Sequence, residues 1–239
     1  YTWIPANPAS PGGETAQLLE SFDAELVIFH SSLAEDARHF RDRLPGVRQW
    51  VQFGPDDVGP ADAAVVWPAP DSPRAVAVGC GINPRYGDLD PYAMAASAVD
   101  EAIRNVVAGG GDPARTALLD NFCWGNTERP EVLGSLVLAA EACRDLALAF
   151  NTPFISGKDS LYNEYRSGEQ RIAIPPTLLI SALARVHDVR RCVTMDLKQP
   201  GNSLYLIGTT KNELGGSHLN LVCGRQGGSV PAVDAELAP

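Results

Sequence analysis

The segment held between Asp90-Pro91 and Gly109-Gly110-Gly111 leaves the chain little conformational choice. Proline is preorganised for a first helical position, an aspartate before it can cap, and a glycine run stops a helix. The spacing therefore predicts one long helix over residues 92–107. A second, rich in Ala and Leu, is expected over 130–150. Short apolar runs at 63–67 and 75–78, separated by the turn 68–73, predict an antiparallel hairpin. Further strands are expected at 116–120, 153–156, 178–186 and 204–208. The run 178–186 is apolar throughout, as in a strand buried on both faces. This mixed order favours an α+β fold, with helices packed on one face of a mixed or antiparallel sheet.

Outside that block the signals are weaker. Residues 1–17, rich in Pro, Gly, Ser and Ala, read as a linker or extended arm. Residues 25–30 read as a strand, 34–44 as a helix, 52–60 as an acidic loop, and the tail from Gly224 as a linker with no element to pack it.

A formal net charge of -10 excludes binding to nucleic acid through a general basic field. Phosphates would have to be met locally, by backbone N–H groups, a few cations, or Mg²⁺ held by carboxylates. Five scattered cysteines without C-x-x-C spacing, and four scattered histidines, argue against a zinc site or a disulfide framework and fit a reducing cytoplasm. No apolar run approaches the ~20 residues of a membrane span.

Four groups could carry chemistry. Glu101 and Asn105 stand four apart on the first long helix, so both leave one face; they suit Mg²⁺ ligands or a solvated helix surface. Asp62, directly before an apolar strand, suits a metal ligand or a turn. The polar loop from Asp120-Asn121 to Gly125-Asn126 follows a strand, where ligands often sit, with Trp124 expected in the core. The loop 156–164 carries Gly157 for close backbone approach, with Lys158, Asp159 and Ser160 beside it; anion site and tight turn both fit. A weaker group is Gly215-Gly216-Ser217, whose backbone could approach phosphate. No general base is nominated.

In order, Asp90-Pro91-Tyr92, Glu101-Ala102-Ile103-Arg104-Asn105, Asp120 through Asn126, Arg129-Pro130-Glu131-Val132, Ser156 to Glu164 and Glu213-Leu214-Gly215-Gly216-Ser217 resemble phosphoribosylformylglycinamidine synthase. The match is to the second of that family's two duplicated halves and covers residues 58–222. The resemblance implies the N-terminal-domain fold shared with aminoimidazole ribonucleotide synthetase. The chain is expected to divide into a linker and small N-terminal segment (1–50), which the resemblance does not account for, a nucleotide-binding domain (51–222) and a linker towards a missing C-terminal domain (223–239). The resemblance implies a cytoplasmic ligase of purine biosynthesis, which amidates formylglycinamide ribonucleotide using ATP and ammonia from a glutaminase domain or subunit. It further implies ATP or ADP contacts at Ala61, Asp120 and Gly157, a substrate-phosphate contact at Ser160, and Mg²⁺ ligands Asp62, Glu101 and Asn105. Pairing with the other half or a second copy, sheet to sheet, is implied as well. Lys158 stands where the small form of the family has a metal-ligating Asn. The family's Asp-x-Ser-x-Gly-Gly motif is absent, which marks a fragment inactive alone. A small-molecule kinase of the same superfamily and a non-catalytic assembly module are the competing readings.

Overall fold

The computed structural model describes residues 12–21, 26–30, 43–47, 49–53, 62–69, 71–168, 170–195 and 197–236. At the N-terminal end, helix α1 (Gly12–Ser21) accompanies a parallel pair of strands, β1 (Leu26–His30) and β2 (Gln49–Phe53). Ala16 and Leu19, three apart on α1, bury with Val27 and Leu44. That apolar face makes residues 12–17 helical where an extended arm was expected, despite Gly12-Gly13. Strand β2 likewise takes in Gln52 and Phe53, expected as loop. Residues 34–42 of the expected helix lie outside the described residues.

The main body follows as β3 (Ala63–Val66), β4 (Ala75–Ile82), α2 (Pro84–Gly87), α3 (Pro91–Ala108), β5 (Thr116–Cys123), α4 (Pro130–Ala149), β6 (Phe154–Ser160), β7 (Glu164–Ser167), β8 (Gln170–Ala173), β9 (Thr177–Val186) and the short α5 (His218–Val222). Five strands form one mixed sheet in the order β3-β4-β9-β5-β6, with β5–β6 parallel and the other pairs antiparallel. Strands β7 and β8 make a separate hairpin.

Helix α3 starts as its sequence predicts. The Asp90 side chain accepts from the Ala93 N–H at 2.9 Å, and the helix stops at Gly109. It lies on β4 and β9, and α4 packs beside it. The close approach is made at Gly81, where a Cβ would stand 2.0 Å from the Ala98 carbonyl oxygen. The core consists of this helix face, Ala139, Ala142, Cys143 and Leu146 of α4, and one face of the sheet.

Only that face is fully buried. Along β9, Leu178, Ile180, Ala182, Ala184 and Val186 are buried, while Leu179, Ser181 and Leu183 between them are half-buried and Arg185 is exposed. The expectation of two buried faces is corrected accordingly: the apolar positions at 179 and 183 belong to a sheet face on which no described helix of the main body packs, shared with Val76, Val78 and Leu119.

Two further expectations change. Residues 204–208 form no strand, and Leu204 to Ile207 are each more than 80% exposed, because no described strand lies alongside to take their backbone hydrogen bonds. The tail is not free of packing: Gly215 N–H donates to the Ser229 carbonyl at 2.8 Å, and Val233 packs against the main core.

Candidate functional site

The stretch read as a loop at 156–160 is strand. It pairs in parallel with the end of β5, with Asp120 opposite Gly157, Asn121 opposite Lys158, Phe122 opposite Asp159 and Cys123 opposite Ser160. A register shift between Leu118 and Leu119 sets these pairs. The strand was hidden in the sequence because Gly, Lys, Asp and Ser are poor strand formers and β6 is an exposed edge.

Strand alternation then sorts the side chains. Asp120, Gly157 and Asp159 share the helix-facing side of the sheet; Asn121, Lys158, Cys123 and Ser160 share the other. On the helix side, the Asp120 carboxylate fills the space above Gly157, where a Cβ would stand 2.2 Å from Oδ1. Burial, and then the carboxylate of Asp159, push the Asp120 carboxyl above its usual range. Asp120 also faces α4: after burial, its charge is what raises the Cys143 thiol, pushed up to about 12. On the opposite side, the Lys158 ammonium donates to the Ser160 hydroxyl. Asp120 with Gly157 is thus a juxtaposition across two strands, and Ser160 lies three residues further along β6 with its side chain on the other face. Asp159, which the sequence offers as a possible metal ligand, is placed with Asp120 by a strand alternation that the local composition hides.

The loop after β5 is sewn to the end of β6. Trp124 N–H donates to the Ser160 carbonyl at 2.8 Å, and Asn163 N–H donates to the Trp124 carbonyl at 2.8 Å. Trp124 is in the core, as expected, fully buried with its indole N–H donating to Ser135 Oγ at 2.9 Å. Asn126 N–H donates to a carboxylate oxygen of Glu164 at 3.0 Å.

Asp62, Glu101 and Asn105 lie elsewhere, at the opposite edge of the sheet. Strand β3 pairs with β4 only as far as Ala63 opposite Gly79, so among the described residues the last of β4 have no strand partner on that side. Helix side chains serve instead. Asn105 Nδ2 donates to the Cys80 carbonyl at 2.8 Å, and Glu101 Oε2 accepts from Ile82 N–H at 2.9 Å and Asn83 Nδ2 at 2.8 Å. Glu101 retains Oε1 and Asn105 retains Oδ1 outside these bonds. Asp62, exposed, directly precedes Ala63. Two carboxylates and one amide carbonyl are hard oxygen donors of the kind Mg²⁺ takes, and they fit that ion chemically. Among the described residues, no three of His, Cys, Asp and Glu gather into a metal site. Ala61 lies outside the described residues.

The six described site residues therefore lie toward the two edges of one sheet, Asp62, Glu101 and Asn105 at one and Asp120, Gly157 and Ser160 at the other. With β9 and β4 between β5 and β3, strands spaced about 4.8 Å apart separate the groups by well over one nucleotide phosphate. Gly215-Gly216-Ser217 is occupied structurally: a Cβ on Gly216, whose φ is +71°, would meet the Tyr86 ring, and Ser217 caps α5. A cavity of about 380 Å³ lined by Gly110, Gly111, Asp112, His187, Asp188 and Arg191 contains none of the site residues.

Comparison with known proteins identifies the lineage. Residues 60–186 match the family model of AIR synthase related protein, N-terminal domain. The chain is 41% identical over 186 residues to the phosphoribosylformylglycinamidine synthase subunit PurL of Deinococcus radiodurans, covering 75% of this chain and 24% of that protein. It is 34% identical over 180 residues to the PurL subunit of Beijerinckia indica, again covering 75% and 24%. The chain thus spans about a quarter of the length of these relatives. Among solved structures, it is similar to Thermotoga maritima PurL complexed with FGAR, with a TM-score of 0.49 and 23% identity over 65% of this chain and 24% of that one. It is also similar to PurLQS from Thermotoga maritima, with a TM-score of 0.47 and 25% identity over 56% and 21%. With a family model matched across the whole five-stranded sheet, the chain belongs to the AIR synthase related proteins and carries their N-terminal domain.

Proposed function

We propose that this chain is a nucleotide-binding domain of phosphoribosylformylglycinamidine synthase, a cytoplasmic C–N ligase of purine biosynthesis, and is inactive alone. The observation that carries the reading is the Asp120–Gly157 pair. A part-buried carboxylate whose pKa is raised lies against a glycine at an exposed sheet edge, inside a segment about 41% identical to PurL subunits. In this reading Asp120 and Gly157 contact ATP or ADP, together with Ala61. Ser160 meets the phosphate of formylglycinamide ribonucleotide. Asp62, Glu101 and Asn105 hold Mg²⁺, which would neutralise charge on the nucleotide phosphates. The spread of the residues over two sheet edges is understandable if two such domains form the complete site. The uncovered sheet face of Val76, Val78, Leu119, Leu179 and Leu183 suits pairing with the other half of the synthase or with a second copy. The glutaminase partner is proposed from the PurL relatives.

The test is calorimetry of the 239-residue chain with ADP and Mg²⁺, alone and mixed with the first half of a PurL subunit. Binding that disappears in Asp120→Ala is expected. Absence of nucleotide binding in both settings, or turnover of formylglycinamide ribonucleotide by the chain alone, would overturn the reading.

A further inference from the structure

Glu164 is a fully buried charged side chain beside the β5–β6 edge. It opens β7, and its side chain has no solvent exposure. One oxygen, Oε1, accepts from the Asn126 backbone N–H at 3.0 Å. The other, Oε2, is buried without a hydrogen-bond partner and faces Arg171 at 3.4 Å and Arg166 at 3.7 Å. Arg166 and Arg171 are opposite one another in the β7–β8 hairpin, and Glu164 is opposite Ala173, so all four side chains project from the same hairpin face. Gly125 lies against that face, a Cβ there standing 3.4 Å from both Glu164 Oε1 and Ala173 Cβ.

A carboxylate removed from water needs compensation, and leaving one oxygen unbonded is costly. Its position explains what it holds together. The turn it bonds, Trp124 to Asn126, is the one whose first N–H donates to the Ser160 carbonyl. Asn163, next to Glu164, closes the loop: its N–H donates to the Trp124 carbonyl, its Nδ2 donates to the Ser160 carbonyl at 3.1 Å, and its own carbonyl accepts from Ile174 N–H beyond β8. Four segments thus meet around one buried carboxylate, with Ser160 at the rim.

We propose that Glu164 is the positioning residue of this edge: it fixes the Trp124–Asn126 turn and the arginine hairpin relative to Ser160, so that Ser160 and the hairpin guanidinium groups are presented together to a phosphate-bearing ligand. This rests on the reading of Ser160 as a phosphate contact. Arg166 is more than half exposed, so part of its guanidinium remains open to an anion while Glu164 restrains it.

Glu164→Gln separates the two duties, since the amide keeps an acceptor for Asn126 but not the charge that faces the arginines. Glu164→Ala removes both. The 239-residue chain and these variants, each mixed with the first half of a PurL subunit and with Ser160→Ala as reference, would be titrated with formylglycinamide ribonucleotide and with ADP, and the Asn126 amide and arginine Nε–H resonances followed by NMR. Glu164→Gln is expected to shift the arginine resonances and weaken formylglycinamide ribonucleotide about tenfold, with ADP affinity and melting temperature near wild type. Glu164→Ala should also displace the Asn126 resonance. Parallel loss of both affinities with the melting temperature would reduce Glu164 to a structural role and overturn the proposal. So would arginine and Asn126 resonances that ignore both variants. If Ser160→Ala leaves ribonucleotide binding intact, or the wild-type chain binds none, the phosphate reading of Ser160 fails, and the presentation of a phosphate site by Glu164 fails with it. Intact NMR responses would then identify an anchor of the turn alone.

Discussion

The Asp120 carboxylate occupies the volume that any side chain at Gly157 would need, with Oδ1 and Oδ2 falling 2.2 and 2.6 Å from where a Cβ would stand. The obstacle is the end of a short side chain rather than backbone, so Gly157→Ala should fold, with Asp120 rotated away at a cost of about 1–3 kcal/mol. Chemical denaturation measures the cost. Calorimetry with ADP should show binding lost to nearly the same degree as in Asp120→Ala, because both changes remove the same carboxylate position.

Asp120→Asn tests the electrostatics of that pair. Burial and then Asp159 raise the Asp120 pKa in the folded state. The folded chain therefore favours the protonated form. The stabilising contribution is complete below the ordinary carboxylate range of about 4 and is lost as pH rises through the raised folded value. An amide stays neutral throughout. Melting curves of wild type and Asp120→Asn should run together in acid and separate toward neutral pH, the variant melting higher while binding nucleotide worse. A variant melting lower at pH 7 would show that Asp120 is held by its hydrogen bonds rather than strained by burial.

Much of this was legible in the sequence where local chemistry and burial agree. Asp90-Pro91 and the glycine run fix α3 at both ends, and Pro130 starts α4, because caps and stops act within a turn of the residues that encode them. The Asp120–Gly157 contact lies across 37 positions of sequence and depends on a parallel pairing with a shifted register, which no local pattern encodes. For Glu101 and Asn105 the i, i+4 spacing correctly gave a shared helix face, but not that this face would cap the end of β4 that β3 does not reach. Residues 204–208 have strand composition without a described neighbour to pair with; composition selects a conformation only when a partner takes the hydrogen bonds.

Glu101 carries a stability role that can be separated from its proposed metal role. Glu101→Ala leaves Ile82 N–H without its acceptor and the Asn83 amide with Ser97 Oγ alone, and should cost about 1–2 kcal/mol, at the modest end because this corner is reached by water. Glu101→Gln keeps an acceptor and should recover most of that loss. If Glu101 also holds Mg²⁺, the Gln variant should bind nucleotide with its Mg²⁺ dependence weakened at least several-fold. Unchanged Mg²⁺ dependence in the Gln variant would confine Glu101 to the β4 corner.

Gly81 should tolerate far less than Gly157. Its Cβ would collide with the Ala98 carbonyl oxygen at 2.0 Å and the Ala102 nitrogen at 2.8 Å, both backbone of α3. Relief requires the helix to lift from β4 along its contact with the sheet. Gly81→Ala is expected to cost about 3 kcal/mol or more, at or beyond the upper end of overpacking penalties. A Gly81→Ala chain with a denaturation midpoint within experimental error of wild type would mean that α3 can shift on the sheet without loss.

The thiols report on the same packing. Cys143 lies on the buried face of α4, where burial and then the Asp120 charge push its pKa up to about 12. Cys80 and Cys223 are exposed. The thiolate is the reactive form, so a negligible fraction of Cys143 is reactive at a labelling pH of about 8, and reagent must also reach it. Brief alkylation of the native chain followed by peptide mass spectrometry should modify Cys80 and Cys223 and spare Cys143. Denaturant should bring Cys143 to the same extent of labelling as the others. Replacing Asp120 with Asn removes the lesser cause of the raised pKa and leaves burial, so Cys143 should remain protected in that variant too. Rapid native labelling of Cys143 would mean that α4 leaves the sheet readily, and that the β5–β6 edge is not the rigid wall a nucleotide site requires.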